Sequence, residues 1–461
     1  MCTPTGEETC AGVADEDCDG TECGLWGRLY GDASNQMGNA LEVAPNGDVY
    51  ITGRIGDPGA SIQFDGETVL ADAANQHFIA KLSADGQERW IRRLPSQVAT
   101  IQSGTSHYRI MGATDSSVII GTPLTEVIDL GGGPLASDGW GDTAFASLDS
   151  DDGSYEWGTT FTGPGDGGVT FSAYGLSPLG EVVIAGHAAP GAVYDGQVIA
   201  DPSSPDTRVW YGLGFDAATG NLLWSHTWQV GPLENNDTYH NLAFGKEGDI
   251  YITGSVSSPV SFGGEPMVPV DWTQGYLAHL DPQGEWVDGG LYCDSCYPEQ
   301  MVIGPGGEVV ISGYVDFYEL GDIPLPTNGQ WAIFGLSTQY QPLWARLMSE
   351  APAIDLDESG DIGFEIGDTD MIDIDGASFP AIGLVDIVVG RIALDGTLQW
   401  YRQLGTPGAR TDDISPQQTF RLQPGGKAIV MLEASGAAAD FGFGPLPPVG
   451  GRDIGVVQLA L

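Results

Sequence analysis

Basic residues are scarce in this sequence. Only 16 lysines and arginines stand against 63 aspartates and glutamates among 461 residues, which gives a formal net charge of −47. Such a surface repels nucleic-acid phosphates and anionic lipid headgroups, and it attracts divalent cations and basic partners. The charge therefore argues against nucleic-acid binding and is typical of proteins that stay soluble in salty or extracellular surroundings.

Long apolar runs and helical patterns are missing as well. No apolar stretch approaches the roughly 20 residues that a membrane-spanning helix needs, so we expect no transmembrane segment. The chain instead has short alternating apolar runs bounded by Gly, Pro, Asn and Asp, with 69 glycines and 29 prolines along its length. Alternation with a period of two between such turn residues predicts an all-β protein.

Recognisable catalytic motifs are also absent. We find no G-x-S-x-G nucleophile elbow, H-E-x-x-H zinc motif, P-loop or Rossmann fingerprint. Six histidines offer little material for acid–base chemistry. These absences favour a non-enzymatic protein that needs no organic cofactor.

A repeat organises the rest of the chain. The stretch "VAPNGDVYITG" (43–53) returns as "LSPLGEVVIAG" (176–186), "FGKEGDIYITG" (244–254) and "IGPGGEVVISG" (303–313). Each unit continues with an ornament hairpin such as "IQFDG" (62–66), and then with a strand and turn that lead to a tryptophan. These tryptophans lie 56 to 67 residues apart, at Trp26, Trp90, Trp157, Trp224, Trp286, Trp344 and Trp400.

Four strands in each of seven units predict a seven-bladed β-propeller over residues 25–461, because such sheets must stack on one another and a ring leaves only short edges. The last unit stops at Leu461 without a tryptophan strand, while a spare tryptophan strand precedes the first unit. We therefore expect residues 25–30 to pair with residues 419–461 and close the last blade. The tryptophans should pack in the core or between blades.

These units, with a "dG-v-y-v-tG" hairpin, a "d-f-gg" ornament and a closing "dG…W", resemble the secreted bacterial β-propeller repeat. The resemblance covers residues 25–461 and implies a propeller exported by a bacterium. It implies no catalytic residues, because the family has none in common.

The N-terminal segment, residues 1–24, is rich in Cys and Asp and is similar to a short metal-binding motif of bacterial surface proteins. Asp15, Asp17 and Asp19, followed by a glycine, match the opening of a calcium loop, and Glu22 could stand in for the distal glutamate. The competing interpretation is an acidic spacer tied by disulfides. Cys2 is either an acylated first residue, which would provide a lipid anchor, or one of four cysteines that can pair in three ways.

Two further motifs have structural interpretations. "YCDSCY" contains Cys293 and Cys296, and its place after a strand in an acidic loop predicts a local disulfide rather than a redox pair. "DTDMIDIDG" (368–376) is rich in aspartate, but its end coincides with an ornament hairpin, so strand alternation and a turn explain it.

The connections that enter each blade are the candidate ligand site, because in a propeller they crowd one face around the central channel. Polar and aromatic side chains gather there and could hold a sugar, a peptide end or a metal. The candidate ligand-binding residues are His107, Tyr108, Tyr174, Tyr239, His240, Tyr297 and Glu299.

We therefore hypothesise an exported bacterial protein, extracellular or on the outer cell surface, that acts as a non-enzymatic binding or scaffold protein for a protein or glycan partner. Two alternatives stay open. One is a carbohydrate-active enzyme, a lyase or glycosidase, that uses carboxylates with Tyr or His at the blade entrances. The other is a surface or filament subunit that self-assembles.

Overall fold

The structure is a computed structural model that describes most of the chain. The described residues are 24–95, 107–125, 127–137, 141–164, 168–202, 209–230, 240–270, 273–316, 319–326, 329–368, 371–380, 385–406, 409–410, 419–434 and 446–460. The predicted calcium ligands Asp15, Asp17, Asp19 and Glu22, and the candidate residue Tyr239, lie outside them.

The chain is all-β, and its described residues form seven four-stranded antiparallel blades of a β-propeller, without a helix. This confirms the predicted fold class. The first strand of the chain, β1 (Gly24–Tyr30), belongs to the seventh blade.

The next strands form blades 1 to 3 in chain order. Blade 1 contains β2 (Gln36–Val43), β3 (Val49–Ile55), the ornament strands β4 (Ser61–Phe64) and β5 (Glu67–Leu70), β6 (Gln76–Leu82) and β7 (Glu88–Leu94). Blade 2 contains β8 (Arg109–Ala113), β9 (Ser117–Leu124), the ornament strands β10 (Ile128–Asp129) and β11 (Pro134–Leu135), β12 (Asp142–Asp149) and β13 (Tyr155–Thr162). Blade 3 contains β14 (Val169–Leu176), β15 (Glu181–Ala188), the ornament strands β16 (Val193–Tyr194) and β17 (Gln197–Val198), β18 (Val209–Asp216) and β19 (Leu222–Val230).

Blades 4 to 7 repeat the plan. Blade 4 contains β20 (His240–Phe244), β21 (Ile250–Val256), the ornament strand β22 (Val260–Ser261), β23 (Gln274–Leu280) and β24 (Trp286–Asp294). Blade 5 contains β25 (Cys296–Ile303), β26 (Val309–Val315), the ornament strands β27 (Glu319–Leu320) and β28 (Ile323–Pro324), β29 (Gln330–Leu336) and β30 (Pro342–Met348). Blade 6 contains β31 (Ala353–Leu356), β32 (Ile362–Asp368), the ornament strands β33 (Met371–Ile374) and β34 (Ala377–Pro380), β35 (Val385–Ile392) and β36 (Leu398–Thr406). Blade 7 contains β37 (Ala409–Arg410), β38 (Phe420–Gln423), β39 (Lys427–Ala434) and β40 (Asp453–Ala460), together with β1.

The chain divides into two compact units. Unit 1 comprises residues 1–96, 331–333 and 346–461 and contains blades 6, 7 and 1. Unit 2 comprises residues 97–330 and 334–345 and contains blades 2, 3 and 4 and most of blade 5.

The repeated hairpin follows from its turn residues. Gly47 has a φ of +84°, a conformation that glycine adopts at little cost, and the side chain of Asn46 accepts a hydrogen bond from the amide of Asp48 at 2.9 Å. This turn sets the register of β2 on β3, so that Val43 pairs with Val49 and the apolar residues of both strands enter the core.

Three of the recurring tryptophans pack between blades, as predicted. Each of these three lies on the last strand of one blade and covers a glycine in the turn after the third strand of the next, so closely that an added Cβ would overlap the indole ring. The pairs are Trp26 with Gly86, Trp157 with Gly220, and Trp224 with Gly284. Trp157 also donates a hydrogen bond from Nε1 to the carbonyl of Ala217 at 3.0 Å, which fixes the orientation of the indole.

In the described residues, the ornament hairpins of blades 3, 4 and 6 pair with the last strand of the preceding blade. The hairpin of blade 3 adds β16 to β13 of blade 2, and that of blade 4 adds β22 to β19 of blade 3. In unit 1, Asp375 accepts a hydrogen bond from the amide of Leu347 at 2.9 Å and forms an ion pair with Arg346 at 2.8 Å. The acidic stretch 368–376 therefore serves a structural hairpin in its described part, as its alternation predicted.

The chain ends close blade 7 as predicted. Strand β1 pairs antiparallel with β40, from Gly24 opposite Leu459 to Tyr30 opposite Ile454. Trp26 and Tyr30 are buried in one cluster with the core residues of blade 1, so this strand serves two blades at once.

Candidate functional site

The first strands of blades 2 to 5, β8, β14, β20 and β25, contact one another in sequence within unit 2. Among the described candidates, His107 and Tyr108 directly precede β8, and His240, Tyr297 and Glu299 lie at or near the starts of β20 and β25. Tyr174 is the sixth residue of β14. We define the inner-strand face as residues 107–109, 171–174, 240–241 and 297–300. It gathers side chains from four blades into one region of one unit.

β-Bulges shape this face. In β14 the pairing skips Ser172, and in β25 it skips Glu299, so each residue leaves the regular ladder. Bulges of this kind redirect a side chain and often lie beside binding sites. The hydroxyl of Ser172 is buried and has no hydrogen-bond partner among the described residues. The side-chain amide of Asn241 donates to the carbonyl of Glu299 at 3.0 Å, which joins blades 4 and 5.

Arg109 occupies the boundary between blades 2 and 3. Its guanidinium carbon lies over the ring of Phe171, 5.1 Å from the centroid, and over the ring of Tyr174 at 5.7 Å. The two rings meet edge to face at 5.6 Å. A cation held over two aromatic rings is attracted by both, so Arg109 keeps a fixed place on the face.

The predicted ligand residues on this face differ in how deeply they are buried. His107, Tyr174 and Tyr297 are half-buried, with the Tyr297 ring centroid 6.5 Å from that of Tyr314. Tyr108 is buried, and this burial raises the pKa of its phenol. His240 is the first residue of β20, and the structure describes its backbone only.

Arg109 and Phe171 were not predicted from the sequence. A signal was present, because Arg109 is one of only 16 basic residues and directly follows His107 and Tyr108. Its role depends on Phe171 and Tyr174, which lie more than 60 residues away in the next repeat, and no spacing within one unit reveals such a pairing.

Unit 1 carries a charged cluster at the corresponding strands. Arg421 on β38 forms an ion pair with Glu42 on β2, with Nε and Oε2 3.2 Å apart. Asp355 on β31 accepts a hydrogen bond from the amide of Leu422 at 2.8 Å and is close enough for Arg421 to lower its pKa. Burial outweighs this attraction, so the pKa values of Glu42 and Asp355 are both raised. One guanidinium thus pairs with Glu42 and attracts the nearby Asp355 within blades 6, 7 and 1.

An acidic residue recurs at or directly before the start of the second strand in several blades. In three blades it faces a base on the third strand, as in the pairs Asp48 with Lys81 (2.7 Å), Asp249 with His279 (3.8 Å) and Asp361 with Arg391 (3.1 Å). Blade 3 has Gly214 at the place of the base, so Glu181 is buried and no described residue pairs it with a cation. Burial raises the pKa of Glu181 to about 7, against the opposing effect of the Trp224 indole.

Glu181→Gln is expected to stabilise the protein at alkaline pH. The native state of the parent protein retains a proton that the unfolded state loses above the ordinary pKa of 4.5. Parent stability therefore falls as pH rises from 4.5 to about 7. Glutamine mimics the protonated form, so the variant should gain about 1–3 kcal/mol at pH 8 and nothing below pH 4.5.

Urea unfolding across this pH range measures the effect of Glu181→Gln. Glu308→Gln is the matched control, because Glu308 occupies the same place in blade 5 and is exposed. Equal pH profiles for the parent protein and Glu181→Gln would contradict this account of the buried acid.

Three further observations concern the sequence predictions. Cys293 and Cys296 form a disulfide, with Cα atoms 6.0 Å apart, as predicted. Within the described part of the chain, no group of three His, Cys, Asp or Glu side chains could hold a metal ion. No helix of sufficient length and apolarity to cross a membrane occurs in the described residues.

Comparisons with known proteins identify no family for this chain. No protein-family model matches the chain, and no curated protein matches it. Among solved structures, the chain is similar to quinohemoprotein alcohol dehydrogenase from Comamonas testosteroni, with 12% identity over 94% of this chain and 76% of that one, and a TM-score of 0.39. It is also similar to virginiamycin B lyase from Staphylococcus aureus, with 10% identity over 94% of this chain and 100% of that one, and a TM-score of 0.42. A puromycin-hydrolyzing peptidase from Mycobacterium tuberculosis shares 12% identity over 92% of this chain and 57% of its own, with a TM-score of 0.47. Similarities at this level carry no argument about the activity of this chain.

Proposed function

We propose that the protein is an exported, non-enzymatic binding propeller whose ligand, a glycan or a peptide, binds the inner-strand face of unit 2. The observation that carries the proposal is the convergence of four neighbouring first strands whose residues on this face are mainly polar or aromatic. Concave sites with a few convergent polar groups and aromatic rings are the usual ligand sites of such folds.

The individual side chains support a binding role. Tyr174 and Tyr297 are half-buried, so each keeps part of its side chain accessible. Amphipathic rings of this kind bury a large area at low entropic cost and offer a hydrogen bond at one end. Ser172 supplies a hydroxyl without a partner among the described residues, which a ligand can satisfy.

A glycan and peptide array tests the proposal. The parent protein is expected to bind a restricted set of probes. The double variant Tyr174→Ala/Tyr297→Ala should lose at least about 10-fold of that signal, the loss typical of removing two aromatic contacts. Tyr155→Ala is the matched control, because Tyr155 lies on the last strand of blade 2, away from the face.

Two results would contradict this function. One is an unchanged array profile for the double variant, and the other is the absence of any bound probe. Incubating bound glycans with the protein and measuring new reducing or unsaturated ends tests the enzymatic alternative in the same preparation.

The N-terminal segment has a separate proposed role as a calcium-stabilised collar or tether at the cell surface. Asp15, Asp17 and Asp19 supply alternate carboxylates of the type that hold Ca²⁺, with Glu22 as a further donor. Calcium calorimetry on the full chain, with Asp15→Asn/Asp17→Asn/Asp19→Asn as the comparison, tests this role. Equal heats from both proteins would refute it.

A further inference from the structure

Arg109 has no ion-pair partner among the described residues, although the chain carries 63 acidic side chains. Six other basic residues each hold a carboxylate within 4 Å, namely Lys81, Arg93, Arg346, Arg391, Arg421 and Arg452. The guanidinium of Arg109 instead lies over the rings of Phe171 and Tyr174. The protein therefore keeps a positive charge unneutralised on the face that gathers its polar and aromatic residues.

The environment of Arg109 prepares the guanidinium for a planar anion. A guanidinium that lies over aromatic rings still carries five N–H donors around its edge, in a fork that matches a carboxylate. Arg109 is half-buried, so water competes less for these donors than at an exposed site. The rings also restrict the movement of the side chain, which lowers the entropic cost of binding.

The net charge of the protein selects among anions. At a formal charge of −47, the protein repels every anion at long range, and the repulsion grows with the charge of the ligand. A carboxylate brings one negative charge, whereas phosphate brings nearly two at neutral pH. A singly charged carboxylate therefore reaches Arg109 at lower cost and can pair with it in a bidentate manner.

The geometry points to a carboxylate-binding subsite at Arg109, in which the guanidinium holds the carboxylate and the neighbouring residues of the inner-strand face contact the rest of the ligand. This inference deepens the proposed function and rests on it, because it names the chemical group that the face recognises. A uronic acid of a glycan and the C-terminus of a peptide both present this group.

Isothermal titration of the full chain with defined probes tests the subsite. The probes are a galactose trisaccharide that carries a single galacturonate residue, neutral galactotriose, N-acetyltriglycine with a free carboxylate, and inorganic phosphate. We expect binding of the two carboxylate probes, with the tighter one identifying the source, and no heat from galactotriose or phosphate. Arg109→Gln should weaken carboxylate binding at least about 10-fold, the loss of a charge-assisted hydrogen-bonded pair. Arg109→Lys, which keeps the charge but loses the fork, should lose less.

Arg93→Gln is the matched control, because Arg93 is exposed and pairs with Asp72 in blade 1. Thermal unfolding of each variant confirms that the fold is retained. The subsite is overturned if neither carboxylate probe binds, if phosphate binds more tightly than both, or if Arg109→Gln binds as the parent does. If only Tyr174→Ala/Tyr297→Ala impairs array binding and Arg109→Gln does not, the subsite fails while the proposed function stands.

Discussion

Trp26→Ala is expected to lower the free energy of unfolding by about 3–5 kcal/mol, the range for truncating a large buried aromatic side chain. Trp26 lies on β1, the strand that the N-terminus contributes to blade 7, and packs in one cluster with the core of blade 1. Its indole covers Gly86 in the third-strand turn of blade 1. Removing the indole therefore weakens the closure of blade 7 and its contact with blade 1 together.

Two glycine variants separate this packing from backbone effects. Gly86 and Gly66 both have a φ of +76°, so alanine strains the two backbones equally. A Cβ at Gly86 would overlap the Trp26 ring, whereas a Cβ at Gly66 would meet nothing within 4 Å. Gly86→Ala should therefore cost about 1–3 kcal/mol more than Gly66→Ala, as overpacking does.

Urea unfolding monitored by fluorescence and circular dichroism measures these differences. In the Trp26→Ala background, the excess cost of Gly86→Ala should disappear because the overlapping ring is gone. Equal costs for Gly86→Ala and Gly66→Ala in the parent protein would show that the Trp26–Gly86 contact does not stabilise the closure.

The closure of blade 7 by the N-terminal strand could be predicted from the sequence, because the strands of each unit are recognisable from patterns within that unit. The final unit lacks a tryptophan strand and the N-terminus has a spare one. The pairing of β1 with β40 therefore supplies the strand that the last blade lacks. The turn glycines and the alternation of each hairpin are equally local. Features of this kind are encoded within about ten residues, where sequence patterns are informative.

Contacts between repeats could not be predicted in the same way. The ornament strands β16 and β22 have two residues each and pair with the preceding blade. Two residues carry too little alternation to specify a partner. Their pairing depends on how neighbouring blades pack, which no single unit contains.

Bulges were also hidden from the sequence. In blade 1 the unpaired residue is Asn39, directly before the ladder pair of Ala40 with Thr52. In blade 2 the unpaired residue is Met111, while Arg109 pairs with Gly121 and Tyr108 directly precedes β8. One unpaired residue shifts the register without changing the apolar pattern enough to be noticed.

One turn in blade 5 has a tyrosine where the equivalent turn of blade 1 has a glycine. The third-strand turn there has Tyr340 at a φ of +59°, where blade 1 has Gly86 at +76°. Tyr340 donates a hydrogen bond to Asp288, and Asp288 also bonds His279 at 2.9 Å. The turn keeps its left-handed backbone because this polar cluster holds the tyrosine ring, a context that the sequence of the turn does not contain.

Arg421→Met is expected to destabilise the protein by about 2–4 kcal/mol at pH 8, because it leaves two carboxylates in a partly buried place without their cation. Glu42 and Arg421 are each exposed by about a quarter of their side chains, 22% and 24%, so solvent softens the loss relative to a fully buried pair. Arg93→Met is the control. Arg93 and Asp72 are 48% and 72% exposed, and breaking such a pair costs about 0–1 kcal/mol.

The pH dependence of Arg421→Met identifies the cause. The pKa values of Glu42 and Asp355 are already raised by burial, and removing Arg421 removes the attraction that opposes this rise. The native variant therefore binds protons that the unfolded chain has released, and its stability falls as pH rises above the ordinary carboxyl range. The deficit relative to the parent protein should be largest at pH 8 and should shrink toward pH 4, where both carboxyls become protonated.

Neutralising the acids supplies the final test of this cluster. Glu42→Gln/Asp355→Asn in the Arg421→Met background should recover most of the lost stability at pH 8, since no unpaired charge remains. Thermal and urea unfolding at pH 4 and pH 8 compare the parent protein, Arg421→Met, its derivative with Glu42→Gln/Asp355→Asn, and the Arg93→Met control. A deficit that is independent of pH, and that the two amide substitutions leave unchanged, would mean that Arg421 acts through the packing of its aliphatic stem.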